Sequence, residues 1–133
     1  MMFALDTRGV PPLALAPGVG LARPRAHEMA GPSRRLFALL VAAAVDGPVL
    51  WLHPRWWPER LAGDGLRPYL DPCRLVIGRC RGALDILRCA EEALRSGAVP
   101  LVVAELPTPP ALTPVRRLHL AAEAGAAAAS PPL

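Results

Sequence analysis

The stretch ALDILRCAEEALRSGAVPLVVAE, from Ala83 to Glu105, places an amphipathic helix directly before a buried strand. Ala83, Ile86, Leu87, Ala90 and Leu94 recur at helical spacing and form one apolar stripe. Asp85 in the first turn and Arg95 in the last match the helix dipole, and Gly97 supplies a stop. Leu101-Val102-Val103-Ala104 is then apolar without alternation, the pattern of a parallel strand covered on both faces.

The same alternation extends in both directions. Upstream, Val49-Leu50-Trp51-Leu52 and Leu75-Val76-Ile77 read as further strands. Arg34 to Val45 reads as a helix, with Ser33 as N-cap and Asp46-Gly47-Pro48 as its end. Arg25 to Met29 is a weaker strand signal. Between these elements, Pro54 and Pro58 break the chain into a loop, with a turn of helix expected at Glu59-Arg60-Leu61 and a turn at Gly63-Asp64-Gly65. Downstream, Thr113-Pro114 reads as an N-cap with proline at the first helical position, opening a helix from Val115 to Ala124 that Gly125 ends. Strands alternating with helices predict an α/β domain with a parallel sheet and helices on both faces. Residues 26–125 form that domain. Residues 1–25, rich in Pro and Gly, read as a loose leader, and residues 126–133 as a low-complexity tail.

Composition narrows the chemistry. The 133 residues are 53% hydrophobic and 20% charged, enough for one domain with its own core. All 15 basic residues are Arg, and the chain contains no Lys, Asn or Gln. A Walker A lysine, a Schiff-base lysine and a lysine general base are therefore excluded. The net charge of +4 is spread along the chain, apart from Arg34-Arg35 and Arg116-Arg117, so no nucleic-acid stripe stands out. The three cysteines, Cys73, Cys80 and Cys89, have neither disulfide-scaffold nor zinc spacing and read as buried thiols in a reducing compartment. No metal site is expected. The ten-residue apolar run Leu36–Val45 is too short to span a bilayer, and no secretory signal opens the sequence. A cytoplasmic protein without membrane attachment is expected.

Glu28-Met29-Ala30-Gly31-Pro32 resembles the entry to the phosphate loop of the RecA family. Leu94 to Val99 followed by Leu101-Val102-Val103 resembles the helix and strand that carry that family's Walker B acid, and Ala111-Leu112-Thr113-Pro114 echoes the segment beyond it. From His27 to Gly125 the chain is more similar to the ImuA family, RecA-like and SulA-like accessory proteins of bacterial mutagenic repair. The matching pieces include Ala26-His27-Glu28, Gly47-Pro48-Val49-Leu50-Trp51, Glu91 to Gly97 and Arg116-Arg117-Leu118. The resemblance implies a three-layer RecA-like sheet, incomplete at its C-terminal side because family members continue through more strands. It also implies a non-catalytic adaptor in damage-induced translesion synthesis, whose partners are an inactive polymerase-like subunit and the recombinase. Direct contact with DNA stays open. Within the same superfamily, a SulA-like cell-division inhibitor and a degenerate ATPase-fold fragment are the alternatives.

The residues that would form a nucleotide site are Gly31, Pro32, Ser33, Arg34, Arg35 and Glu105. A working phosphate loop needs a second glycine and a Lys-Ser/Thr pair, and both are missing here; Pro32 also removes a backbone donor. Arg34 and Arg35 either meet an anion at the helix N-terminus or stay solvated. Glu105 stands at a strand end where a magnesium-binding acid would sit, with no phosphate loop to serve. No catalytic residue and no cofactor are therefore expected. Arg55, Trp56, Trp57 and Arg60 have the composition of a protein-contact hot spot, and the indoles also suit stacking on single-stranded bases. Arg116 and Arg117 are the remaining partner-contact candidates.

Overall fold

The computed structural model describes residues 2–5 and 12–129, with side chains from residue 12 onward. In chain order the elements are β1 (Met2–Leu5), β2 (Leu13–Ala16), β3 (Val19–Leu21), β4 (Arg25–Glu28), α1 (Arg34–Ala44), β5 (Val49–Pro54), α2 (Gly63–Leu66), β6 (Leu75–Cys80), α3 (Ala83–Ser96), β7 (Leu101–Ala104) and α4 (Leu112–Ala129). The main sheet has five strands in the order β4-β1-β7-β5-β6, and β2 and β3 form a separate hairpin. β5 runs parallel to both β6 and β7. β1 lies antiparallel to both β4 and β7. The α/β class and a parallel core of three strands are thus present, but the sheet as a whole is mixed.

Strand periodicity divides the sheet residues between two apolar clusters. Val49, Trp51, Leu101 and Val103 face α1, whose Ala38, Leu39, Val41 and Ala42 are buried, and the hairpin residue Leu13 joins them. Leu52, Val102 and Ala104 face the other way, against Ile86, Ala90 and Leu94 of α3 and Leu118, Ala121 and Ala122 of α4. Helices therefore pack on both faces. Continuous apolar runs are what β5 and β7 need, since each is buried on both sides.

Several expectations change. The supposed leader contributes β1, a strand in the sheet interior, together with the β2–β3 hairpin; residues 1 and 6–11 lie outside the described residues. Met2–Leu5 is a four-residue apolar run, long enough for a strand and paired along its whole length on both sides. The helical turn falls at Gly63–Leu66 instead of Glu59–Leu61, because Leu66 and Leu70 are the buried anchors while Glu59 extends to reach Arg35. Ser33 occupies the N-cap position of α1 but makes no side-chain capping bond. α4 starts at Leu112, before Thr113, and continues past Gly125 to Ala129, so half the expected tail is helix; residues 130–133 lie outside the described residues. Its buried positions Leu118, Ala121, Ala122 and Gly125 follow helical spacing. The alanines after Gly125 have the highest helix propensity.

Gly125 is buried in α4, with its backbone against the end of α3. Gly97, with φ of 69°, ends α3 in the left-handed conformation, and a Cβ there would lie 2.6 Å from the Gly125 carbonyl oxygen. A second tie is Arg74, whose guanidinium donates to the carbonyls of Gly47 at 2.8 Å, Val45 at 2.6 Å and Ala42 at 3.2 Å. It closes the C-terminal end of α1, where the helix dipole favours a cation.

Candidate functional site

α/β sheets place ligands beyond the C-terminal ends of their parallel strands. Here that region is organised by Arg35, in the first turn of α1. Its Nε donates to Glu105 Oε1 at 2.5 Å and its Nη1 to Glu59 Oε2 at 2.6 Å. Glu105 follows β7, its backbone N–H continues the ladder to the Leu52 carbonyl at 2.8 Å, and the residue is only 4% exposed. The buried carboxylate is thus held by an arginine from another element. Burial works against the Arg35 charge, but hydrogen bonding and proximity to Glu105, then Glu59, outweigh it and hold the guanidinium above its ordinary pKa.

Arg34 is also engaged. Its Nη1 donates to the Gly31 carbonyl at 3.1 Å, and its backbone N–H points to the same oxygen at 3.4 Å. Gly31 has φ of 114°, so the turn presents an occupied carbonyl where a phosphate loop would present N–H donors. Neither arginine is the simply solvated group that the sequence allows.

The structure brings two of the predicted groups together. A cavity of about 270 Å³ is walled by Gly31 and Arg34 on one side, Trp57 on another and the Leu106–Pro110 loop on a third. Trp56 stacks on Trp57 with ring centroids 5.5 Å apart and an interplanar angle of 29°. Trp56 is 60% exposed. The loop is pinned at its start by the Arg55 N–H, which donates to the Cys80 carbonyl at 2.8 Å. No protein-family model, curated protein or solved structure matches the chain.

Other candidates lie apart. Arg116 and Arg117 are on α4, on the opposite face of the sheet from α1. Arg117 reaches Glu91 Oε2 at 2.9 Å, and Arg95 bonds the same carboxylate, so Arg117 ties α4 to α3. Arg60 is exposed beside a second cavity, with Glu59 and Glu105. The cysteines differ from expectation: Cys80 is buried, whereas Cys73 and Cys89 are exposed. The reason is placement, since Cys73 lies in the turn before β6 and Cys89 on the outer side of α3. Burial, then the neighbouring Cys89 and Asp85, push the Cys80 thiol up to about 11. That is the opposite of an activated nucleophile.

What sequence reading missed is the Arg35–Glu105–Glu59 link, because its members are 24 and 70 positions apart. It also missed His119, whose Nδ1 accepts the Ala26 N–H at 3.0 Å. A strand edge needing cover was the available signal for the second; nothing in the spacing marks the first. No helix among the described residues is long and apolar enough to cross a membrane, and no cluster of three metal-ligating side chains occurs among them.

Proposed function

We propose that the chain is a cytoplasmic, non-catalytic adaptor with a three-layer RecA-like architecture, serving damage-induced translesion synthesis by joining an inactive polymerase-like subunit to the recombinase. The observation that carries the adaptor reading is the Trp56–Trp57 stack, which borders the cavity of Gly31 and Arg34. An exposed indole backed by a second one offers a large rigid contact at little cost in conformational entropy, which is how interface hot spots work. The Arg35–Glu105 pair supports the non-catalytic part. The acid at the end of β7 has its charge met by a guanidinium, and the chain has no lysine to place on a phosphate. The identity of the partners rests on the ImuA-like resemblance of residues 27–125.

The test is affinity capture with the tagged full chain from DNA-damaged bacterial cells, repeated with Trp56→Ala. Capture of a translesion polymerase subunit or the recombinase, lost in the variant, is the expected result. Capture of the tubulin-like division protein would replace this reading with the SulA-like inhibitor. Capture indifferent to Trp56→Ala would remove the stack from the interface.

A further inference from the structure

β6 is the outer strand of the main sheet, and no described strand pairs with its free side. It matches β5 residue for residue over its 6 positions, without a bulge, and contains no proline. Such a strand is a regular template for one more, since bulges and prolines are what normally spoil an edge. The Arg55 N–H donates to the Cys80 carbonyl at 2.8 Å, so the Cys80 backbone points inward to β5. Backbone groups alternate along a strand, so those of Gly78 and Val76 also point inward. The N–H and C=O of Ile77 and Arg79 then point out from the sheet.

The side chains say what fits there. Val76 and Ile77 are half-exposed and lie on opposite faces. From Pro72 to Leu84 the charged residues are Arg74, Arg79 and Arg81, with no acid among them. Arg74 spends its guanidinium on the carbonyls at the end of α1, and Arg81 stands 3.7 Å from Asp85. Arg79 is exposed, and its described contact is the Arg55 carbonyl at 3.4 Å. The nearest carboxylates across the strand face, Glu59 and Glu105, both pair with Arg35. A second copy laid on this edge sets arginine-bearing chain against arginine-bearing chain. An acidic strand meets the opposite charge.

We propose that the β6 edge takes up an extended acidic segment of a partner protein as an added strand. Backbone bonds to Ile77 and Arg79 supply the hold, as in other cases of strand addition. Antiparallel pairing is slightly the stronger kind. In that direction the segment reads acid, any residue, apolar, apolar. The acid falls opposite Arg79, and the apolar pair opposite Ile77 and Val76, one on each face of the sheet. The carboxylate stays in solvent beside Arg79, where it selects the partner and speeds encounter more than it anchors. The site uses neither Trp56 nor Trp57 and does not depend on the adaptor reading.

The experiment is a 1H–15N correlation spectrum of the 15N-labelled full chain, with backbone amides assigned. It is titrated with the capped peptide Asp-Glu-Thr-Val-Val-Glu and with a counterpart carrying lysine at the acidic positions. The expected result with the acidic peptide is a saturable shift of the Ile77 and Arg79 amides, half-complete below about 1 mM. Both amides also exchange more slowly with heavy water once paired. The lysine peptide binds about fivefold more weakly at low salt. Arg79→Glu, an exposed substitution that leaves the core intact, reverses that preference. Ile77 and Arg79 amides unmoved by the acidic peptide would overturn the proposal. So would equal binding of the two peptides, or a preference unchanged in Arg79→Glu. Protection of both amides that grows with protein concentration alone would assign the edge to a second copy instead.

Discussion

The two edges of the main sheet are finished in different ways. At the β4 edge, α4 packs across the strand and His119 accepts the Ala26 N–H, so a backbone donor that no strand uses is met by a side chain. At the β6 edge no described strand or helix covers the outer side, and Val76 and Ile77, pointing to opposite faces, are 54% and 46% exposed. An open edge with apolar side chains on both faces invites another strand to pair, and edges are usually blunted by charge or cover. Here Arg79 on the strand and Arg81 just after it supply the charge. One edge is therefore closed by structure and the other only by electrostatics.

The difference can be broken most strongly at Gly97. A Cβ there meets the Gly125 carbonyl and forces a left-handed conformation on alanine, so α4 loses its seat on α3 and the β4 edge loses its cover. Gly97→Ala is expected to destabilise the protein by about 3 kcal/mol in urea denaturation, combining backbone strain with overpacking. A loss below about 1 kcal/mol would mean that α4 is held elsewhere.

Arg74 probes the other edge. It stands in the turn entering β6 and bonds three carbonyls at the end of α1. Arg74→Ala should cost about 2 kcal/mol by the same measurement, since charge-assisted bonds to backbone oxygens are lost together. Arg74→Lys should recover less than half, because an ammonium cannot span the three oxygens in a plane.

Acid is expected to loosen the β4 edge selectively. Burial, then the Arg25 charge, hold the His119 pKa below its ordinary value, and the neutral ring is the form that accepts the Ala26 N–H. A histidine with a depressed folded pKa binds fewer protons folded than unfolded. Its contribution is therefore complete above about pH 6.5 and is lost as pH falls through the folded value. His119→Ala should cost about 1 kcal/mol at pH 8 and flatten the stability profile below pH 6.5. An unchanged acid slope in the variant would assign the slope to another group.

The smallest effect on stability is expected at Val76. Val76→Lys should change unfolding free energy by less than about 0.5 kcal/mol, as exposed substitutions do. Light scattering at high protein concentration should nonetheless fall, because a lysine on a bare edge disfavours edge-to-edge pairing. Scattering unaffected by the lysine would show that Arg79 and Arg81 already suffice.

The elements legible in the sequence are those whose signal is local. α3 carries a stripe, a dipole-matched pair of charges and a terminal glycine within fifteen residues. β5 and β7 are unbroken apolar runs. β1 carries no such mark, because a four-residue run gains strand character only from partners far along the chain. The β2–β3 hairpin was signalled by Pro17-Gly18 between two apolar stretches, but the surrounding prolines masked it. Gly125 reads as a stop locally and is overridden by tertiary packing. At the candidate site, Glu105 was legible from its place after β7 and Trp56-Trp57 from composition. Their neighbours were not, since Arg35 meets Glu105, and Trp57 comes to line one cavity with Gly31, only once the sheet is assembled.

The pairing of Met2 with Ala104 has a consequence for synthesis. A ribosome adds about 5–20 residues per second, so β1 waits roughly 5–20 s for β7 to be made. Until then β4 is its sole sheet neighbour, and β5 and β6 can pair with each other but not with the β1–β4 ribbon. The two halves join only when β7 arrives and slots between them, later than every other described strand. Mutations that slow elongation in the codons before Leu101 should therefore expose the unpaired flank of β1 for longer, and lower the yield of folded chain without altering a single residue.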